Sequence, residues 1–224
     1  MLDVKTSIPT VIFITSGAVH EVNLLDHFPI EEGSYYLLDK GYIEFEKLYR
    51  IHKSAAYFVM PAKDNFAFVR LNSRTVDKQS GVICDQTVRL KNQLVSLKYP
   101  PELRRVKYRD AETDTQLVFI TNNFELRPDE IAALYRYRWK IELFFKWIKQ
   151  HLKVKTFWDY SFNAVKTQIY IAMITYLLVA IIKHQLKLKQ SQYEILQILS
   201  ISLLCKIPLT ELFSNTDQQY VKEP

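Results

Sequence analysis

"YRYRWKIELFFKWIKQ", residues 135–150, sets five bases and a single acid, Glu142, into a run dense with aromatic and aliphatic side chains. On a helix turning about 100° per residue, Tyr135, Arg138, Glu142, Lys146 and Lys149 share one stripe roughly 80° wide. Leu134, Ile141, Phe145, Ile148 and Leu152 form a neighbouring stripe and are the expected core face. Trp139, Leu143 and Trp147 lie on the other flank. Upstream, Pro128 followed by Asp129 and Glu130 suits a helix start, so the pattern predicts one helix from there to about Leu152.

The stripe has two readings. As a solvated face, Arg138 and Lys146 stand four residues either side of Glu142, and such pairs contribute about 0.3–0.5 kcal/mol each. As a polyanion site, the bases grip phosphates. A carboxylate among phosphates makes chemical sense only if a metal ion joins them.

The flanking sequence predicts an α/β chain. Residues 1–56 read as strands alternating with helices: "TVIFIT" (10–15) and "SYYLLD" (34–39) as strands, "HEVNLLDHF" (20–28) as a weak helix. "YIEFEKLYRIHKSA" (42–55) is an amphipathic helix with Ile43, Phe45, Leu48 and Ile51 inward. Residues 57–126 hold "YFVMP", "FAFVRL", "GVICDQTVRL", "LRRVKYRD" and "TQLVFITNN", read as antiparallel strands. Arg105, Lys107 and Arg109 alternate with Val106 and Tyr108, so one face there is basic. Within 127–190, a second helix covers roughly 163–188. Residues 191–224 begin with a shorter amphipathic helix or pair, broken near Pro208, and end in a polar tail.

Composition bounds the function. The 224 residues carry a net charge of +6, which favours a polyanionic partner only weakly. Cys84 and Cys205 lack metal-site spacing and fit a reducing compartment. The longest apolar run, Ile169 to Ile182, is shorter than the roughly 20 residues a membrane span needs and reads as a buried helix. None of the four glycines forms a phosphate-cradling loop.

Tyr135-x2-Arg138-x3-Glu142-x6-Lys149 resembles the Tyr-Arg-Glu-Lys signature of bacterial insertion-sequence transposases with a DDE site. "LLDKGYIEF" (37–45) resembles that family's strand-end Asp-x-Gly-Tyr block. "SIPTVIFITSGAVHEVNLLD" (7–26) and "LKVKTFWDYSFNAVKTQIYIAMITYLL" (152–178) resemble its flanking segments. The resemblance implies a ribonuclease H-like core interrupted by a β-rich insertion and followed by C-terminal helices. It implies that Asp39 and Glu142 are the second and third catalytic, metal-binding carboxylates, although turn chemistry alone reads Asp39 as an N-cap. Tyr135, Arg138, Lys146 and Lys149 are the implied DNA contacts. Two Mg²⁺ or Mn²⁺ ions serve the intact family in phosphodiester cleavage and strand transfer at transposon ends. The implied partner is double-stranded DNA, held by a homodimer, in the cytoplasm with the nucleoid and with no membrane.

Three departures qualify the match. Asp3 is the one early candidate for the first Asp, and the segment from it to Asp39 is too short for the strands the fold wants. The chain is therefore expected to be an N-terminally truncated form, with the first strand and its Asp missing, metal binding weakened and cleavage lost. Glu21 and Asp159 stand where relatives usually carry Asp and Gly. The competing expectation is a basic interaction protein that binds an acidic protein or membrane surface without DNA chemistry.

Overall fold

The computed structural model describes residues 1–15, 19–152, 154, 156–202 and 204–214. They divide into two compact units: Met1–Lys5 with Pro9–Ile141, and Thr6–Ile8 with the residues from Glu142 onward.

A two-residue pair, β1 (Leu2–Asp3) and β2 (Ile8–Pro9), opens the chain. "TVIFIT" forms no strand. Its apolar side chains are used in packing instead, with the Phe13 ring tilted against Phe28 at 5.4 Å. "HEVNLLDHF" tightens into a 3-10 helix, Glu21–His27. Arg50 holds it by donating to the carbonyls of Leu25 (3.0 Å) and Phe28 (2.7 Å).

The first unit is built on a six-stranded mixed sheet. Its strands are β3 (Tyr35–Leu37), β4 (Tyr57–Pro61), β5 (Phe68–Arg74), β6 (Val82–Leu90), β7 (Leu103–Arg109) and β8 (Gln116–Thr121), in the order β3-β4-β8-β7-β6-β5. β3 runs parallel to β4, and the other neighbours pair antiparallel. The five strands read within 57–126 are thus present, and one of them, β4, also pairs with Tyr35–Leu37. β3 is an outer strand; among the described residues no strand lies on its other side.

Helices cover both faces. On one, α1 (Phe45–Lys53) buries Leu48 and Ile51 against Phe58, Met60, Val88, Leu103 and Ile120, as its 3.6-residue period requires. The short α2 (Gln93–Lys98) starts at Asn92, whose side chain accepts from the Leu94 and Val95 N–H groups, and Val95 adds to the same core. On the other face, α3 (Pro128–Arg136) packs Ile131 and Ala132 against Val59, Val106 and Phe119. Glu130 accepts the Arg127 N–H at 2.7 Å and fixes the start of α3.

The expected single helix over 128–152 is two. α3 ends at Arg136 and α4 (Trp139–His151) follows. Between them Tyr137, Arg138, Lys140 and Ile141 donate to carbonyls three residues back. Those bonds wind at 3.0 rather than 3.6 residues per turn, so the phase of the apolar stripe is reset. Phe144 and Ile148 are therefore the buried residues of α4, while Phe145 is 46% exposed.

In the second unit, the Phe144 and Trp147 rings meet Tyr176 of α5 (Phe162–Gln185) edge-on at 4.9 and 5.2 Å. Tyr176 donates to the Ser7 carbonyl at 2.8 Å. Helix α5 buries Ala172, Met173, Tyr176, Val179 and Ala180, while Ile171, Ile174 and Leu178 are exposed. The expected buried helix is thus buried on one face only. Its 24 residues are long and apolar enough to cross a membrane by length and composition. The C-terminal segment is a pair of helices, α6 (Gln192–Ser202) and α7 (Leu209–Ser214), and Ile195 and Phe213 pack with Val179. The polar tail beyond Ser214 lies outside the described residues.

Candidate active site and nucleic-acid interface

Asp39 follows the end of β3. It caps a 3-10 turn, Lys40–Tyr42, accepting the Lys40 N–H through Oδ1. Its other oxygen, Oδ2, accepts from Arg138 Nη1 at 3.2 Å across 99 residues of sequence. The Arg138 side chain is 23% exposed and that of Asp39 54% exposed.

Tyr135 is placed differently from a purely exposed DNA contact. Its ring packs on Phe119 at 5.0 Å, within the core between α3 and the sheet. The Arg138 guanidinium carbon lies 5.8 Å from the Tyr135 ring centroid, at the outer limit of a cation–π contact. The Tyr135 ring thus stands beside Arg138 while anchoring α3. Next to it, Lys140 donates to the Val4 carbonyl at 2.6 Å. A cavity of about 810 Å³ in this unit is lined by Asp3, Tyr35, Leu37, Tyr137, Arg138 and Ile141, among others.

Glu142 lies on the first turn of α4 and belongs to the second compact unit. There it lines one open groove of about 460 Å³ with Phe145, Lys146, Lys149 and Gln150. The shared stripe of Glu142, Lys146 and Lys149 is therefore present on α4, with both lysines exposed. Asp39, Tyr135 and Arg138 belong to the first unit.

A network with no obvious sequence signal holds the segment that leads into α3. Arg104 and Asp85, both 2% exposed, form a two-pronged pair with both contacts at 2.9 Å. Arg104 also donates to the carbonyls of Leu126 (2.6 Å) and Asn123 (3.3 Å), just before α3. A buried Arg fixing the approach to a helix looks in sequence like any base of an alternating strand.

Among the described residues, no three His, Cys, Asp or Glu side chains gather so as to hold a metal ion. Both Asp39 oxygens have nitrogen donors as partners. The described residues thus do not by themselves fit a two-ion centre.

The chain matches the family described as "Transposase DDE domain" over residues 1–178. It is a member of the DDE transposase domain family. A Sinorhizobium fredii protein named as a candidate transposase, y4zB, is 34% identical to this transposase domain over 99% of the chain and 60% of its own length. The probable transposase of insertion sequence element IS5377 from Geobacillus stearothermophilus is 32% identical over 66% of the chain and 39% of its own length. A candidate transposase of insertion sequence element IS4SA from Synechocystis is 27% identical over 81% of the chain and 51% of its own length. The transposase chain therefore spans at most 60% of the length of these relatives. No solved structure matches it significantly.

Proposed function

We propose that this chain is the part of an insertion-sequence transposase that holds transposon-end DNA, on a ribonuclease H-like fold. Asp39 and Glu142 are two acids of its catalytic set. Arg138, Lys146 and Lys149 take the phosphate backbone, and Tyr135 braces Arg138 at the same place. The observation that carries this reading is the 3.2 Å ion pair between Arg138 and Asp39, which joins the basic signature to the strand-end acid.

Family membership supplies the reaction class: phosphodiester hydrolysis at the transposon end, then transfer of the freed strand. Divalent ions serve that chemistry in such enzymes. Two acids are fewer than a two-ion centre needs, so the 224-residue chain by itself binds DNA without cutting it. A homodimer pairing two ends, located with the nucleoid in the cytoplasm, completes the proposal.

The test is fluorescence anisotropy with a labelled duplex of about 30 base pairs between about 50 and 200 mM salt, beside a plasmid-nicking assay with Mg²⁺ or Mn²⁺. Log K falls linearly with log salt, and Arg138→Ala with Lys149→Ala flattens that slope. The plasmid stays uncut. Equal binding to DNA and to polyglutamate-competed surfaces, with no salt slope, overturns the DNA reading in favour of an acidic-protein binder. Nicking abolished by Asp39→Ala or Glu142→Ala overturns binding without cleavage.

A further inference from the structure

The basic face of β7 is not used by the site at Asp39, and the sheet register shows where it lies. Leu37 is level with Val59 on β4, Val59 with Thr121 on β8, and Pro61 with Phe119 and Val106. Two residues past Leu37, the chain at Asp39 is level with Val106 in the middle of β7; Val106 faces α3, and its neighbours Arg105 and Lys107 face the opposite side, that of α1. Strands stand about 4.8 Å apart. β7 is the third strand from β3 and β5 the fifth, so they lie roughly 14 and 24 Å from it.

On this face of β5–β7 three cations gather. Arg70 is opposite Val88, and Val88 opposite Leu103; Arg105 is opposite Gln86, and Lys107 opposite Cys84. Val88 and Leu103 are covered by core packing, so the cations continue the face beyond the buried part. Arg105 is held flat by neutral partners: it donates to Gln86 Oε1 (2.9 Å) and Cys84 Sγ (3.2 Å), and it lies 4.9 Å from the Phe68 ring centroid. Its positive charge is thus oriented and not neutralised. Among the described residues, Arg70 and Lys107 enter no ion pair. The one acid on these three strands, Asp85, is turned to the opposite face and engaged by Arg74 and Arg104.

Oriented guanidinium, unpaired neighbouring cations, an aromatic ring and no acid are the chemistry that takes a phosphate backbone. We propose that the β5–β7 face bearing Arg70, Arg105 and Lys107 is a second DNA-backbone contact surface. The inference rests on the DNA-binding reading above and adds a second contact face, on the side of the sheet opposite α3.

The test compares the full chain with Arg70→Ala/Lys107→Ala and, separately, Lys107→Glu, on the same labelled duplex. Far-ultraviolet circular dichroism and melting confirm that each variant is folded. The double variant lowers the magnitude of the salt slope by about two and weakens binding at least tenfold; Lys107→Glu alone also weakens binding. Wild-type affinity and slope in both variants overturn the proposal. Arg138→Ala/Lys149→Ala keeps the two readings apart. If it weakens binding while the sheet variants do not, the sheet surface fails and the signature-helix reading stands. If only the sheet variants weaken binding, the sheet surface stands and the signature-helix assignment fails.

Discussion

Arg138 Nη1 and Asp39 Oδ2 stand 3.2 Å apart, and this pair ties the turn between α3 and α4 to the end of β3. An arginine there serves two ends. It neutralises an acid in the DNA-free chain, and it is one of the cations proposed to take phosphate.

Arg138→Ala is therefore expected to change stability little and binding strongly. The pair is partly solvated, with Asp39 54% exposed, and pairs of that kind contribute about 0–1 kcal/mol. Urea denaturation should show a loss within that range, while anisotropy shows weaker DNA binding and a flatter salt slope. A loss of several kcal/mol would assign Arg138 a structural role.

Asp85→Ala is expected to be far more damaging. It strands the 2%-exposed Arg104 in the sheet without its carboxylate. Removing one partner of a buried pair costs about 3–5 kcal/mol. Arg104 also holds the Asn123 and Leu126 carbonyls, so hydrogen exchange at the start of α3 should rise in the same variant.

The stability of the first unit should fall on mild acidification through His52. Burial lowers its pKa below 6.5, and its Nδ1 lies 3.0 Å from the buried Tyr99 hydroxyl. The unfolded chain then binds the proton more readily than the folded one, so stability is full above pH 6.5 and declines as pH falls from there towards the folded pKa. Urea midpoints of wild type should drop between neutral pH and the folded value, and His52→Gln should flatten that drop. An unchanged slope in the variant would remove His52 as the cause.

The exposed face of α5 contrasts with the core that α6 and α7 form on its buried face. Ile174→Gln with Leu178→Gln, at positions 55% exposed, should shift unfolding by no more than about 0.5 kcal/mol each. Ile195→Ala, fully buried against Val179 and Phe213, should cost about 2–5 kcal/mol. Denaturant midpoints of the two variants decide it.

Short-range physics made much of the fold readable. The 3.6-residue period gave Leu48 and Ile51 as the inner face of α1, and alternation with turn residues marked the five strands between Tyr57 and Thr121. Pairing was less readable, because no local pattern says that Tyr57–Pro61 lies parallel to Tyr35–Leu37. The β-rich "TVIFIT" misled, since propensity cannot report that no partner strand is taken. At the site, the stripe of Glu142, Lys146 and Lys149 was legible from one helix period. Phe144 replacing Phe145 in the core was not, because three-residue turns at 137–141 are invisible to a 3.6-residue projection. Arg104 escaped notice because its role depends on carbonyls some twenty residues away.

The two outer strands of the sheet are finished differently. β5 presents Arg70, Asn72 and Arg74 along a seven-residue edge with a bulge, a surface that discourages further pairing. β3 is three residues long and carries Tyr35, Tyr36 and Leu37, none of them charged. In concentrated solution, growth of this sheet by recruitment of another backbone has a preferred direction, outward from Tyr35 and Leu37.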